Sequence, residues 1–182
     1  MDNNELKSLF GELDNLLSKT DLSNVTSESA GFENLPDGYY LCEVTKAELK
    51  QSKTSKQPMA AFQLKTVDNG YSVTFDVEGE TTLSKIDKTK NRTIFLYYVL
   101  KDERSIKRFV TDMLKFEGEK PGEPFLSKEY FTTSEVLTDA LDLLVGLRIY
   151  IQISTTENDD GTSSTWQNLV SWKRASMLEL PM

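Results

Sequence analysis

Residues 37–67 alternate apolar and polar side chains in two runs, and this alternation limits the fold more than any other feature of the chain. In the first run Tyr40, Cys42 and Val44 occupy every second position, and the second run repeats the pattern. A period of two places successive side chains on opposite faces of a sheet, so both runs are predicted strands. The intervening residues 51–58 are polar, which predicts a β-hairpin with a solvated, flexible tip.

The tip of this hairpin carries Lys53 and Lys56. Lysines on a loop between two long strands suit the binding of a polyanion. They equally suit a hairpin tip that only blunts edge pairing and aids solubility. This stretch alone leaves both interpretations open.

The rest of the chain predicts more strands and two helices. Alternation starting at Tyr71 and at Leu147 predicts two strands. Residues 79–91, which are mostly polar and include three lysines, are predicted to form a second basic loop. The apolar, aromatic residues 92–100 predict a central strand. Helical spacing predicts helices over residues 102–116 and 134–146, and a returning strand is predicted over residues 166–174.

This order of elements predicts a mainly β, α+β fold. Meandering strands, inserted helices and a closing hairpin are typical of an OB-type β-barrel. A plain β-sandwich with helices has the same order of elements, so it stays open as an alternative.

The chain divides into four predicted segments. Leucines three and four residues apart predict an N-terminal amphipathic helix at residues 1–19, and polar composition predicts a flexible linker at residues 20–34. The OB-like domain is predicted at residues 35–175, and residues 176–182 are predicted to be a short C-terminal tail.

The absence of histidine limits the chemistry of the chain. Neither a Ser-His-Asp arrangement nor a histidine-containing zinc site can be assembled. No phosphate-binding or calcium-binding loop motif is present either, so we expect no cofactor, no metal ion and no catalytic residue. The single cysteine, Cys42, rules out an internal disulfide, which fits a reducing compartment.

The net charge of −8 is unevenly distributed along the chain. Residues 39–115 hold 14 Lys plus Arg against 10 Asp plus Glu, whereas the remainder holds 7 against 19. A mildly basic middle between acidic ends is compatible with binding to nucleic acid, and it is also compatible with uneven scatter.

Barrels of the OB type bind single strands by combining a basic groove with aromatic rings on which bases stack. The candidate groove residues are Lys50, Lys53, Lys56, Lys65, Lys88, Lys90, Arg92 and Lys173. The candidate stacking residues are Tyr39, Tyr71, Phe75, Tyr97, Trp166 and Trp172, although aromatic side chains of small barrels more often pack in the core.

The opening hairpin combines a Leu-Pro-x-Gly-x-Tyr start with a lysine-bearing loop that ends at Pro-Met, at positions Leu35, Pro36, Gly38, Tyr40, Lys50, Ser52, Lys53, Pro58 and Met59. With these residues it resembles a family of small proteins of tailed phages, long described as uncharacterised. Proteins of that family are encoded beside replication and recombination genes and are associated with binding of single-stranded DNA. Residues 32–174 follow the family loosely, the hairpin follows it closely, and the N-terminal helix is not covered. The closing MLELPM departs from the dense acidic tail that single-strand binders of this sort often carry.

The resemblance and the residues together predict a non-enzymatic, sequence-independent single-stranded DNA-binding protein of phage replication or recombination. Its expected partners are single-stranded DNA and phage or host replication and recombination proteins, with no membrane and with a homo-oligomer left open. Its expected location is the cytoplasm of the infected bacterium, and binding is expected to weaken steeply with salt.

Two other functions remain as alternatives. The leucine-striped helix at residues 1–19 would serve a protein-interaction module, with the barrel as a scaffold. The second alternative is a carboxylate-dependent nuclease that uses the acidic residues Asp76, Glu78 and Glu80. These residues fit a solvated face better.

Overall fold

The computed structural model describes residues 34–118 and 122–182. The helix predicted at residues 1–19 and nearly all of the linker predicted at residues 20–34 lie outside the described residues. The strands are β1 (Gly38–Gln51), β2 (Pro58–Thr66), β3 (Gly70–Phe75), β4 (Thr81–Ile86), β5 (Thr93–Val99), β6 (Arg148–Glu157) and β7 (Ser163–Val170). The helices are α1 (Glu103–Met113), a 3-10 helix (Lys128–Phe131), α2 (Ser134–Leu144) and α3 (Trp172–Met177).

All of these strands belong to one antiparallel sheet that is organised around β1. The first half of β1 pairs with β6 on one edge. On its other edge Tyr39 pairs with Tyr71 of β3, and the second half pairs with β2. The sheet then continues from β2 to β5, from β3 to β4 and from β6 to β7. The hairpin predicted over residues 37–67 and the mainly β fold with helices are therefore confirmed.

The tip of that hairpin is a hydrogen-bonded turn. The Ser52 amide donates to the Gln57 carbonyl at 2.9 Å, and the Lys56 amide donates to the Ser52 carbonyl at 3.0 Å. The Gln51 side chain also donates to the Lys56 carbonyl at 3.0 Å. These bonds satisfy several backbone groups of the loop, so the backbone that carries Lys53 and Lys56 has a defined conformation.

A β-bulge in β1 changes which residues face the core. The pairing register shifts between Val44 and Lys46. Val44 before the bulge is buried, as is Ala47 after it. An extra residue in one strand shifts the alternation by one position. Lys46, Glu48 and Lys50 therefore share the outer face of the sheet, which is the face opposite α1 and α2.

The inner face of the sheet packs against α1 and α2 in one buried cluster. Phe62, Leu96 and Ile151 from the strands contact this cluster together with Phe109 of α1 and Leu141 of α2. The strand predicted over residues 92–100 is confirmed as β5, in which the even-numbered residues from 94 to 98 are buried and the odd-numbered residues are more exposed.

Both predicted helices have side-chain caps at their first turn. The Asp102 carboxylate accepts from the Ser105 amide at 2.8 Å, and the Ser105 hydroxyl oxygen accepts from the Asp102 amide at 3.0 Å. At the start of α2, the Thr133 hydroxyl oxygen accepts from the Val136 amide at 3.2 Å. Each cap satisfies amide groups that have no partner within the helix, so the helix starts are fixed by local sequence.

The C-terminal residues pack on the outer face of the sheet instead of forming the predicted tail. Leu178 and Leu180 are buried with Ala175 and Tyr150 in a second cluster. The Tyr150 hydroxyl donates to the carbonyl of Pro181. Residues 176–182 therefore cover apolar side chains of β1, β3, β4 and β6.

Three predicted elements differ from the structure. The strand predicted over residues 166–174 ends at Val170, because the Ser171 hydroxyl accepts from the Arg174 amide and caps α3. The loop predicted over residues 79–91 contains the strand β4. This strand has too few apolar residues to show alternation in the sequence, and it is stabilised by pairing with β3. The strand predicted as central, β5, pairs only with β2 among the described strands.

Within residues 34–118 and 122–182, every helix is too short or too polar to cross a bilayer.

Candidate nucleic-acid interface

The outer face of β1, β2 and β5 presents rows of side chains across the strands. Pairing aligns Lys46 with Gln63 and Gln63 with Phe95. The next row on this face aligns Glu48, Ala61 and Tyr97 by the same pairing. Side chains in a row share one face of the sheet. The register therefore places aromatic rings on β5 beside charged groups on β1, with small or polar residues of β2 between them.

The rings of Phe95 and Tyr97 are half exposed, at 51% and 53% of their full accessible area. Their centroids are 6.4 Å apart and their planes differ by 3°. Residues two apart on a strand point to the same face, which makes the rings parallel neighbours and leaves a flat surface of each open to solvent. Such a pair offers two adjacent stacking surfaces.

The charges on β1 partly cancel each other. Glu48 Oε2 lies 2.7 Å from Lys46 Nζ, and Glu48 Oε1 lies 3.0 Å from Lys50 Nζ. The hydrogen bond from Lys46, followed by the one from Lys50, lowers the pKa of the Glu48 carboxyl. Lys50 Nζ is also 5.9 Å from the centre of the Tyr97 ring, within the range of a cation–π contact. The trio therefore carries one net positive charge next to the rings.

An open cleft separates β5 from β7. Its volume is about 340 Å³, and it is lined by Phe95, Leu96, Tyr97, Tyr98, Val99, Ser105, Arg108, Thr165, Trp166 and Gln167. The two strands that border it do not pair with each other among the described strands. Ser105 and Arg108 of α1 form the third side of the cleft.

Hydrogen-bond alternation defines which peptide groups face this cleft. The Leu100 amide donates to the Pro58 carbonyl, so the even-numbered residues of β5 direct their peptide groups to β2. The Asn158 amide donates to the Thr162 carbonyl, so the even-numbered residues of β7 bond to β6 in the same way. The odd-numbered residues, from 93 to 99 on β5 and from 163 to 169 on β7, therefore direct their peptide groups toward the cleft side.

Trp166 stands on the β7 side of the cleft with a fixed ring. Its side chain is 52% exposed, and its Nε1 donates to the Thr156 hydroxyl oxygen at 2.8 Å. This hydrogen bond orients the indole and satisfies its only donor. A third half-exposed aromatic surface therefore borders the same cleft as Phe95 and Tyr97.

Residues 18–114, more than half of the 182-residue chain, match the family model described as "Protein of unknown function (DUF669)". The chain belongs to the DUF669 family. The matched residues include β1 to β5 and α1, and they end before β6 and β7. No curated protein matches the chain. The aromatic pair on β5 thus lies within the span that this DUF669 protein shares with its family, whereas Trp166 lies outside it.

The structure brings four of the sequence-predicted residues together in this DUF669 protein. Tyr97 and Trp166 line the same cleft. Lys50 lies against Tyr97 and also lines a shallow depression that includes Lys56. The hairpin tip therefore lies next to the Tyr97 ring.

Lys53 is exposed in the same β1–β2 loop as Lys56. The other predicted cations of the central strands, Lys65, Lys88, Lys90 and Arg92, lie at the opposite end of β2. The nine residues of β2 make these ends about 26 Å apart. The predicted lysines therefore do not gather in one groove.

The main chain of the loop that carries Lys88 and Lys90 is held by the side chains of Asn69 and Thr66. Asn69 Oδ1 accepts from the amides of Thr89 and Lys90 at 3.0 Å each. The Thr66 hydroxyl donates to the Thr89 carbonyl at 2.6 Å. These bonds explain the fixed shape of the loop without any ligand.

Four more predicted residues belong to the outer side of β1, β3 and α3. Tyr39, Tyr71 and Trp172 pack against the second buried cluster, and Trp172 contacts Tyr150 edge to face at 5.9 Å. Lys173 is exposed on α3, where the sequence had predicted a strand. The packing of these rings is explained by the C-terminal residues that they contact.

Phe75 lies apart from the cleft at the end of β3. Its ring is 58% exposed, beside the turn that carries Asp76, Glu78 and Glu80. The Asp76 carboxylate accepts from the amides of Glu78 and Glu80 at 2.9 and 2.8 Å. Asp76 therefore shapes the turn. Residues 34–118 and 122–182 contain no group of three or more His, Cys, Asp or Glu side chains placed to hold a metal ion.

Sequence reasoning missed two residues that line the cleft, Phe95 and Arg108, and one beside the rings, Lys46. Phe95 shares a face with Tyr97 by simple alternation, so the sequence contained the signal for it. Lys46 reaches the outer face only because of the bulge, which alternation cannot predict. Arg108 lies on α1, and only the packing of α1 beside β5 brings it to the cleft.

Proposed function

We propose that the protein binds single-stranded DNA without sequence preference and that its sheet is a partly open OB-type barrel. One arm of the sheet runs from β1 through β2 to β5, and the other runs from β1 through β6 to β7. The two arms end at the cleft between β5 and β7. Strand order and inserted helices support this comparison with small barrels whose outer face binds oligonucleotides.

The observation that carries the proposal is the group of three half-exposed rings around one open cleft. Phe95, Tyr97 and Trp166 each leave about half of their area in solvent although apolar burial would stabilise the fold. Bases stack on such rings regardless of sequence, because every base has a flat apolar face. A single strand of DNA that crosses from β5 to β7 would contact all three rings.

The charge of the site supports a modest electrostatic contribution. Arg108 forms no salt bridge with any described carboxylate, Lys56 is exposed, and the trio of Lys46, Glu48 and Lys50 adds one positive charge. About three neutralised phosphates correspond to a slope of about −2 in log affinity against log salt. Stacking then contributes most of the affinity, and the salt dependence is shallower than the sequence alone suggested.

We further propose that the protein acts by binding alone, in DNA replication or recombination of a phage, in the cytoplasm of its host. The resemblance of the opening hairpin to small phage proteins supports this setting, and Leu35, Pro36, Gly38 and Tyr40 carry it. The absence of histidine from the sequence removes the commonest general base of enzymes, which also supports a role in binding.

Fluorescence anisotropy of a labelled oligonucleotide tests the proposal. We expect the protein to bind a single strand more tightly than the matching duplex at both low and moderate salt. Arg108→Ala should reduce the magnitude of the salt slope by about 1, because it removes one phosphate contact. Lys107→Ala is the matched control, since Lys107 has the same charge but is paired with Glu103 at 2.5 Å.

Two results would refute the proposed function. The first is equal affinity for single and double strands, since stacking requires unpaired bases. The second is an equal change of salt slope in the Arg108 and Lys107 variants, which would mean that the cleft is not the binding site.

A further inference from the structure

A chain of polar contacts joins β5 to β7 through α1. The Tyr98 hydroxyl donates to Asp112 Oδ2 at 2.9 Å. Lys115 Nζ donates to Asp112 Oδ1 at 2.6 Å and to the Leu169 carbonyl at 2.8 Å. Tyr98 belongs to β5, Asp112 to α1 and Leu169 to β7, and Lys115 follows the end of α1. We call these contacts the seam brace.

The seam brace is largely shielded from water. Asp112 and Tyr98 are buried, and the Lys115 side chain is 28% exposed. Burial, together with the adjacent Asp112 carboxylate, raises the pKa of the Tyr98 phenol, so its hydroxyl remains a donor. Asp112 is the shared member, because its two carboxylate oxygens accept from Tyr98 and from Lys115, and an unpaired charge at this buried position would be destabilising.

The brace also uses a peptide group at the open edge of β7. The Leu169 carbonyl belongs to the edge of β7 that faces the cleft side, by the alternation of hydrogen bonds between β6 and β7. Lys115 Nζ bonds this carbonyl, so an ammonium group occupies the edge of β7 at the position where β5 would otherwise pair. The ammonium group therefore separates the two strand edges at one end of the cleft.

Arg108 lies one helical turn before Asp112 on α1. Residues four apart occupy the same side of a helix, so a contact that fixes Asp112 also fixes the position of Arg108. Arg108 lines the cleft together with Tyr97 and Trp166. The brace therefore sets the position of the cationic wall relative to the rings.

We propose that Asp112 and Lys115 are positioning residues that hold the cleft between β5 and β7 open and keep Arg108 beside it, at the spacing that a bound single strand requires. This inference rests on the proposed function. Neither residue lines the cleft, so neither contacts the bound DNA. Their contribution to binding is indirect, through α1 and the two strand edges.

The test compares Lys115→Met with Lys107→Met. Both variants remove one lysine charge near α1, but Lys107 pairs with Glu103 on the exposed side of the helix. We expect Lys115→Met to weaken binding of a labelled oligonucleotide about tenfold, with the salt slope unchanged, and Lys107→Met to leave both near the original values. Lys115→Arg, which keeps a charged donor, should restore most of the affinity.

A second readout requires no DNA. In a Trp172→Phe background, quenching of Trp166 fluorescence by acrylamide reports how open the β7 side of the cleft is. We expect the quenching constant to change in Lys115→Met and to stay constant in Lys107→Met. If the unmodified protein fails to bind oligonucleotide, the proposed function is wrong, while this measurement still tests the brace.

Tyr98→Phe protects the test against a variant that fails to fold. It removes a single hydroxyl and keeps the packing of the ring against Phe62 and Phe109. We expect a smaller shift in the same direction for both readouts. Affinity and quenching in Tyr98→Phe and in folded Lys115→Met that equal those of Lys107→Met would overturn the proposal.

Discussion

Replacing Phe95 with alanine tests stacking at the cleft directly. Base stacking on an aromatic ring contributes about 1–3 kcal/mol per base, so the loss of one stacked base should raise Kd by about 5- to 150-fold. Full burial of a phenylalanine side chain stabilises a fold by about 1.5–3 kcal/mol. Because the Phe95 ring is 51% exposed, the variant should lose only roughly 1 kcal/mol of folding free energy.

Phe75→Ala is the matched control for this variant. Phe75 is 58% exposed, also lies on a strand, and stands outside the cleft at the tip of the β3–β4 hairpin. Its removal should have a similar small effect on stability and no effect on DNA binding. Tyr97→Ala should weaken binding as Phe95→Ala does, and the double variant should lose about the sum, because each ring offers its own surface.

Anisotropy of a labelled oligonucleotide gives the affinities, and thermal unfolding followed by circular dichroism gives the stabilities. The reasoning fails if Phe75→Ala weakens binding as much as Phe95→Ala does. It also fails if the Phe95 and Tyr97 variants are folded and bind with the original affinity, since the rings would then have no part in recognition.

Three further predictions concern the fold. Burial raises the pKa of the Cys42 thiol to about 12, so at pH 8 it stays protonated and should react with a disulfide reagent only in urea; rapid reaction of the native protein would contradict its burial. Asp102→Ala removes the cap of α1 and should lower the free energy of unfolding by about 1 kcal/mol in urea titrations, whereas an unchanged midpoint would show that the cap is dispensable. Gly70→Ala would place a Cβ within the ring of Tyr40 and should cost about 1–3 kcal/mol, seen as a lower melting temperature; a melting temperature equal to the original would mean that the ring moves aside freely.

The sequence predicted the elements whose signal is local. The alternation in β1 and β2, the two helices and their polar starts follow from side-chain period and capping chemistry alone. The same reasoning missed β4, because Leu83 and Ile86 are too few to show alternation and the strand depends on pairing with β3. It also extended β7 too far, because a serine cap at Ser171 outweighed the alternation that continues to Trp172.

The candidate site was predicted only in part, since its members come from distant parts of the chain. Tyr97 and Trp166 were selected by residue type, yet nothing in the sequence indicated that they border one cleft. The lysines were grouped because an OB-type barrel was expected to bring its basic loops into one groove, but the length of β2 separates the two basic loops. Rings such as Tyr39 and Tyr71 carried the same signal as Tyr97, and only the packing of the C-terminal residues distinguishes them.

The sequence by itself determined a mainly β domain with two helices, the absence of histidine chemistry, and the alternation that gives most strands an inner and an outer face. Only the tertiary structure decided which outer face stays open, because α3 and the last leucines cover one part of it while β5 and β7 remain unpaired with each other. The physical reason is that periodicity is set by neighbours along the chain, whereas exposure depends on what distant segments bury.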